Sequence, residues 1–258
     1  MAIAQDETGS RASAAPVLSL YFEAGARPDA QAIHALAGKA GGFAVSHDPG
    51  ADAPAGSGGN WLELLANGLS FDLRGLAPGA ASAVERPVHC FDMAEAPARG
   101  WGEPLALVPG PHLAGGEAML PVVRSQLWLA GRLFALPGLA GVGWGPARSL
   151  LSPSYFARHV VPWLEGGAFP GLGLTALIGS PDGGLQSDGL AFFIGQELRI
   201  EPELAGEGAA GARLALRLIH DLVEAGGPGE AESLTGMQGE SLRLEHSRNG
   251  RFIRVRPA

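Results

Sequence analysis

Cysteine, lysine and long uncharged apolar runs are all scarce in this chain. Cys90 is the sole cysteine among 258 residues, so no intrachain disulfide can form and one chain cannot build a thiolate zinc site. Lys39 is the only lysine, which leaves arginine to carry nearly all positive charge. Charged residues make up 17% of the chain, against a usual share of about 25%. The formal net charge is −8, and no basic run or basic amphipathic face is evident, so nucleic acid is not expected as a partner. The most apolar windows are broken by Arg132, Arg148 and Glu165 before reaching the roughly 18 uncharged residues of a bilayer span. No membrane partner is expected either. Residues 1–16 carry Asp6 and Glu7 and no basic segment leading into an apolar core. They read as a flexible tail rather than a secretory signal, and a reducing, cytoplasmic setting is expected.

The familiar catalytic signatures are missing as well. There is no dinucleotide fingerprint, phosphate loop, zinc-protease helix, calcium loop or nucleophile elbow. His112 with Glu117, and His159 with Glu165, lack the i, i+4 spacing that puts two ligands on one helical face. No metal site and no cofactor are expected.

What is present is a well-punctuated globular sequence. Hydrophobic residues reach 46%, and 40 glycines and 20 prolines fall between periodic segments, which reads as many turns. Alternation over 17–23 predicts a strand, and Asp29 can cap a helix that ends at Gly41 and Gly42. A short strand follows at 42–47, then a Gly/Ala/Pro/Ser loop at 48–60 expected to lack order. Asn67 and Gly68 between two alternating runs predict a hairpin of 61–65 with 69–73, because both turn positions favour positive φ. Strands are expected at 86–93 and 105–108. Leu120, Val123, Leu127, Ala130 and Phe134 form one stripe of a helix over 117–136. A strand at 140–144 precedes a helix capped by Ser152 with Pro153 at its first position. The runs 172–178 and 190–201 read as strands joined by a turn at 180–184, followed by a helix over 209–225. A second hairpin pairs 241–246 with 251–256 around Asn249 and Gly250.

This order predicts an α+β fold with antiparallel or mixed sheets and packed helices. The Pro/Gly-rich passage 96–104 suggests two halves, 17–100 and 101–258, packed as one globular unit. Each half opens strand, helix, strand and closes in hairpins, the layout of two ferredoxin-like units.

The densest reactive cluster is His89, Cys90 and Asp92. Strand alternation sets Cys90 and Asp92 on one face and His89 with Phe91 on the other, so the adjacent imidazole is poorly placed to activate the thiol. The plainer expectation is a buried structural thiol, since free cysteine is among the most buried residue types. His220 and Asp221 fall on the polar side of a helix. Trp144 ends a strand before Gly145 and Pro146, where clefts open, and is the candidate binding residue.

Val142 with Trp144, the run Ser152, Pro153, Tyr155 and Phe156, and above all Gly189 to Phe192 leading into Glu197 to Glu201, resemble a bacterial family catalogued as domain of unknown function number 4261. The helix through Leu214, Leu218 and Leu222 and the strand from Leu242 to Glu245 extend the likeness, which covers the C-terminal half best. The resemblance implies an α+β bacterial protein and supplies no catalytic residues. Two functions are open on the residues themselves: a non-catalytic binding or accessory protein for a protein partner or small ligand, or a cysteine/histidine-dependent hydrolase using Cys90.

Overall fold

The computed structural model describes residues 18–51, 60–93, 102–206, 209–227, 233–235, 239 and 241–258. The expected tail at 1–16, and most of the expected loop at 48–60, lie outside the described residues. The elements run β1 (Leu18–Phe22), α1 (Ala30–Ala40), β2 (Phe43–His47), β3 (Trp61–Ala66), β4 (Leu69–Arg74), β5 (His89–Phe91) and β6 (Glu103–Pro109). Then come α2 (Leu120–Arg132), β7 (Leu139–Trp144), β8 (Ser149–Leu151), α3 (Pro153–Leu164), α4 (Gly171–Leu174), β9 (Ala176–Gly179) and β10 (Leu185–Asp188). The chain closes with α5 (Ala191–Ile194), β11 (Glu197–Ile200), α6 (Pro202–Ala205), α7 (Ala210–Ala225), β12 (Ser233–Thr235), β13 (Ser241–His246) and β14 (Phe252–Pro257).

Two mixed sheets result, so the α+β reading holds. One has eight strands in the order β2-β3-β4-β6-β1-β7-β8-β5, the other six in the order β12-β13-β14-β11-β10-β9. Within the first, β7, β1, β6 and β4 are antiparallel neighbours, with α1 and α2 lying in the connections. That is the ferredoxin-like strand order. It occurs once, across 18–144, because β6 and β7 from beyond position 101 pair on either side of β1. The six-stranded sheet has a different order with a parallel β11–β14 pair, so a second ferredoxin-like half is not found among the described residues. Strand pairing crosses the expected boundary, and one continuous cluster of buried side chains joins both sheets.

Local signals explain most element ends. The Asp29 carboxylate accepts the Ala32 amide at 2.8 Å, and the Ser152 hydroxyl accepts that of Tyr155 at 2.9 Å, each capping its helix. Helix α2 begins at Leu120, later than expected, and gives way to a single 3-10 turn at Leu133–Ala135. Helix α3 carries Pro162 inside its last turn and still runs to Leu164.

Three expected strands differ. The run 86–93 pairs only over His89–Phe91, as an edge strand parallel to β8. The run 172–178 opens as the short turn α4, because Gly173 takes φ +110° while its backbone packs against Leu151 and Tyr155. The run 190–201 splits into α5 and β11. Gly195 ends α5 with φ +80°, and the strand that pairs with β9 is β10 instead.

The helices α2 and α3 cover one face of the eight-stranded sheet. Gln126, fully buried, donates to the Leu107 carbonyl at 2.7 Å and ties α2 to β6. In the six-stranded sheet Leu198, Ile200, Leu242, Leu244, Ile253 and Val255 are buried beside α6 and α7, so alternation turns their neighbours to the opposite face.

Candidate functional site

The expected reactive cluster is split by its own strand. His89 and Phe91 face inward from β5, and Cys90 and Asp92 face out, as alternation requires. The buried-thiol expectation is corrected: Cys90 is exposed, on a three-residue strand at the edge of its sheet. Its partly desolvating surroundings still push the thiol up from its ordinary value, which disfavours the nucleophilic thiolate.

His89 is committed elsewhere. Its Nε2 lies 3.1 Å from Asp188 Oδ2, and the same oxygen accepts Arg148 Nη2 at 2.6 Å. Asp188 ends β10, so this cluster fastens the edge of one sheet to the other. Asp92 accepts Ser154 Oγ at 2.9 Å, Ser152 Oγ at 3.2 Å and Arg158 Nη2 at 2.7 Å. The serine hydroxyls, with Ser154 first, hold its carboxyl below the usual range. The residues named from sequence thus form two separate clamps, one at each side of β5.

Trp144 is 1% exposed. Its ring meets Phe192 edge-on at 5.4 Å and stacks near Phe193 at 6.1 Å. The cleft beside it, lined by Ser19, Tyr21, Gly143 and Arg148, holds about 20 Å³, room for one water. Burial pushes the Tyr21 hydroxyl up to about 12, so it stays neutral. Of the other polar groups weighed, His220 is not a solvated surface group: its Nδ1 accepts the Phe169 amide at 3.2 Å. Asp221 pairs with Arg217 one helical turn away at 3.7 Å. His112 lies 3.4 Å from Ser70 Oγ, beneath which Glu63 is held low by Ser46 and then Ser70. Among the described residues no group of three or more His, Cys, Asp or Glu is placed to hold a metal ion. No described helix is long and apolar enough to cross a membrane.

A surface that sequence reading missed lies on the outer face of the six-stranded sheet. Arg199 of β11 stands in register with Arg254 of β14, and Arg256 of β14 stands opposite Arg243 of β13. Like charges directly opposite on neighbouring strands are destabilising, and here two such pairs adjoin. Carboxylates only partly offset them. Glu201 is hydrogen-bonded by Arg254 and lies 3.6 Å from Arg199, while Glu245 lies 3.0 Å from Arg243 and 3.8 Å from Arg256. Asp182 pairs with Arg199 at the margin. The alternation of Arg254 and Arg256 was visible in the sequence; that β11 lies beside β14 was not.

Glu201 is 6% exposed, and the Arg254 guanidinium, aided by Arg199, holds its carboxyl below the ordinary 4.5. A depressed carboxylate stabilises the fold above its unfolded value, and that contribution is lost as pH falls through the folded value. Glu201→Gln is therefore expected to destabilise at pH 7, with the gap to wild type closing below pH ~4.5. Urea unfolding at a series of pH values measures it; a gap constant with pH would contradict the assignment.

The fold is that of an α+β protein, with a charged sheet face opposite α6 and α7. Comparison with protein-family models, curated proteins and solved structures found no match, so the family resemblance rests on the residues quoted for it.

Proposed function

We propose that the protein is a non-catalytic binding or accessory protein that contacts an acidic protein partner through the outer face of the six-stranded sheet. The observation that carries this reading is the pair of in-register arginine pairs, Arg199 with Arg254 and Arg256 with Arg243, on the face opposite α6 and α7. These four arginines share three carboxylates, Asp182, Glu201 and Glu245, and an acidic partner would supply further ones. Arg243 and Arg256 are the more exposed of the four, with side chains 61% and 42% accessible, and would make the first contacts. The competing hydrolase reading needs an imidazole at the Cys90 thiol. His89, its nearest neighbour in sequence, is turned to Asp188 on the other side of β5, which supports binding over catalysis.

Affinity capture from cells producing the protein tests both readings. Wild type and an Arg217→Glu control on α7 are expected to retain the same partner, and Arg243→Glu/Arg256→Glu to lose it by at least about tenfold. Retention should also fall steeply as salt is raised, since the contacts are exposed charges. Equal capture by the double variant would defeat the sheet-face assignment. Saturable turnover of a hydrolase substrate, abolished by Cys90→Ala in a protein that still folds, would install the hydrolase instead.

A further inference from the structure

An open groove of about 390 Å³ lies between the Asn67 turn, α2 and the end of α3, lined by Asn67, Pro121, Arg124, Ser125, Trp128 and Leu164. That volume suits a small organic molecule. The groove shares no residue with the arginine face, and a ligand here is independent of any partner bound there.

The lining combines one aromatic plane with one held cation. Trp128 is half-buried, and the Arg132 guanidinium sits 4.6 Å over its ring, which fixes the indole. Arg124, one helical turn before Trp128, lies 4.7 Å over the Trp163 ring and donates through Nη2 to the Leu164 carbonyl at 3.0 Å. Its Nε and Nη1 have no hydrogen-bond acceptor among the described residues, and no described carboxylate lies within 4.0 Å of Arg124 or Arg132. In a chain of net charge −8, nine other arginines each have a carboxylate partner, while Arg86, Arg213, Arg248 and Arg251 share with Arg124 and Arg132 the lack of one among the described residues. Ser125 is only 8% exposed and lines the groove, with no partner for its hydroxyl among the described residues. Its hydroxyl is thus open to donate to a ligand acceptor in the groove.

We propose that this groove binds a small planar carboxylate, its ring against Trp128 and its carboxylate on Arg124 and Ser125. Arg124 presents a fork of N–H donors matched to two carboxylate oxygens, and its contacts with Trp163 and Leu164 set that fork before binding. Ser125 adds one O–H donor from the floor. Cations are rejected by Arg124 and Arg132 together.

The test is calorimetric titration of the full chain with 2-naphthoate, 2-naphthalenemethanol and 2-naphthylmethylamine, which share a ring and differ in charge. The carboxylate is expected to bind saturably at one site, the alcohol at least about tenfold more weakly, and the amine not at all. Arg124→Gln and Ser125→Val should each weaken 2-naphthoate about tenfold in protein that circular dichroism shows to be folded at the titration temperature. Arg124→Lys, which keeps the charge and loses the fork, should fall between and stands in should the glutamine variant fail to fold. The proposal is overturned if 2-naphthoate shows no saturation by about 10 mM, if the three probes bind alike, or if the Arg124 variants bind as wild type does.

Discussion

Replacing Trp144 with alanine is expected to lower the free energy of unfolding by about 3–5 kcal/mol, the range for deleting a buried large aromatic. The residue ends β7 in one sheet, and its ring packs on Phe192 and Phe193 of α5, which leads into β11 of the other. Phe193 continues the contact to Phe169, and Phe169 to Trp163 of α3. The cavity left by alanine would open in the middle of this chain of rings, where α3, α5 and β7 all limit collapse. Trp144→Phe should cost far less, about 1 kcal/mol, for a specific reason. The indole Nε1 is buried without a hydrogen-bond partner among the described residues, so phenylalanine forfeits packing but also removes a desolvated donor. Urea denaturation of the three proteins decides it. A loss for alanine below about 1.5 kcal/mol would show that Trp144 does not join the sheets.

Glu197→Ala should destabilise by about 3 kcal/mol or more. The two carboxylate oxygens accept the amides of Gly189 (3.0 Å), Leu190 (3.1 Å) and Ala191 (3.1 Å), together with the Ser187 hydroxyl. Ser187 in turn accepts the Leu198 amide at 2.7 Å. One side chain thus satisfies the donors at the start of α5, where the backbone offers no acceptors. It also fixes Gly189, which takes φ +96° and lies so close to Ala147 that a Cβ there would sit 2.7 Å from the alanine methyl. Glu197→Gln should lose part of the effect, since its amide nitrogen must face donors. An alanine variant as stable as wild type in urea would mean that water replaces the carboxylate without loss.

How much of the fold was legible in advance depended on the range of each signal. Caps at Asp29 and Ser152, the Asn-Gly hairpins and the stripe of α2 are set by neighbours within a few residues, and the structure realises them except that Phe134 falls in the 3-10 turn beyond α2. The failures were also local in appearance. Residues 190–194 are apolar enough for a strand, but Glu197, folding back onto three amides, selects a helical turn. Residues 172–175 look extended until Gly173 must turn against Leu151 and Tyr155. Cys90 was expected to be buried on residue type, and its exposure reflects the place of β5 as the last strand of its sheet.

For the candidate sites the division is sharper. The sequence by itself determined that this is an α+β chain without a disulfide, with Cys90 and His89 on opposite faces of a strand and Arg254 and Arg256 on one face of another. Only the tertiary structure decided that His89 meets Asp188, ninety-nine residues away, that β11 lies parallel to β14, and that Arg124 and Ser125 border a groove with Trp128 and the Asn67 turn. Alternation and helical period fix which way a side chain points within its own element, because they are properties of the backbone. What it points at depends on which distant elements pack together, and that is set by the burial of the shared core.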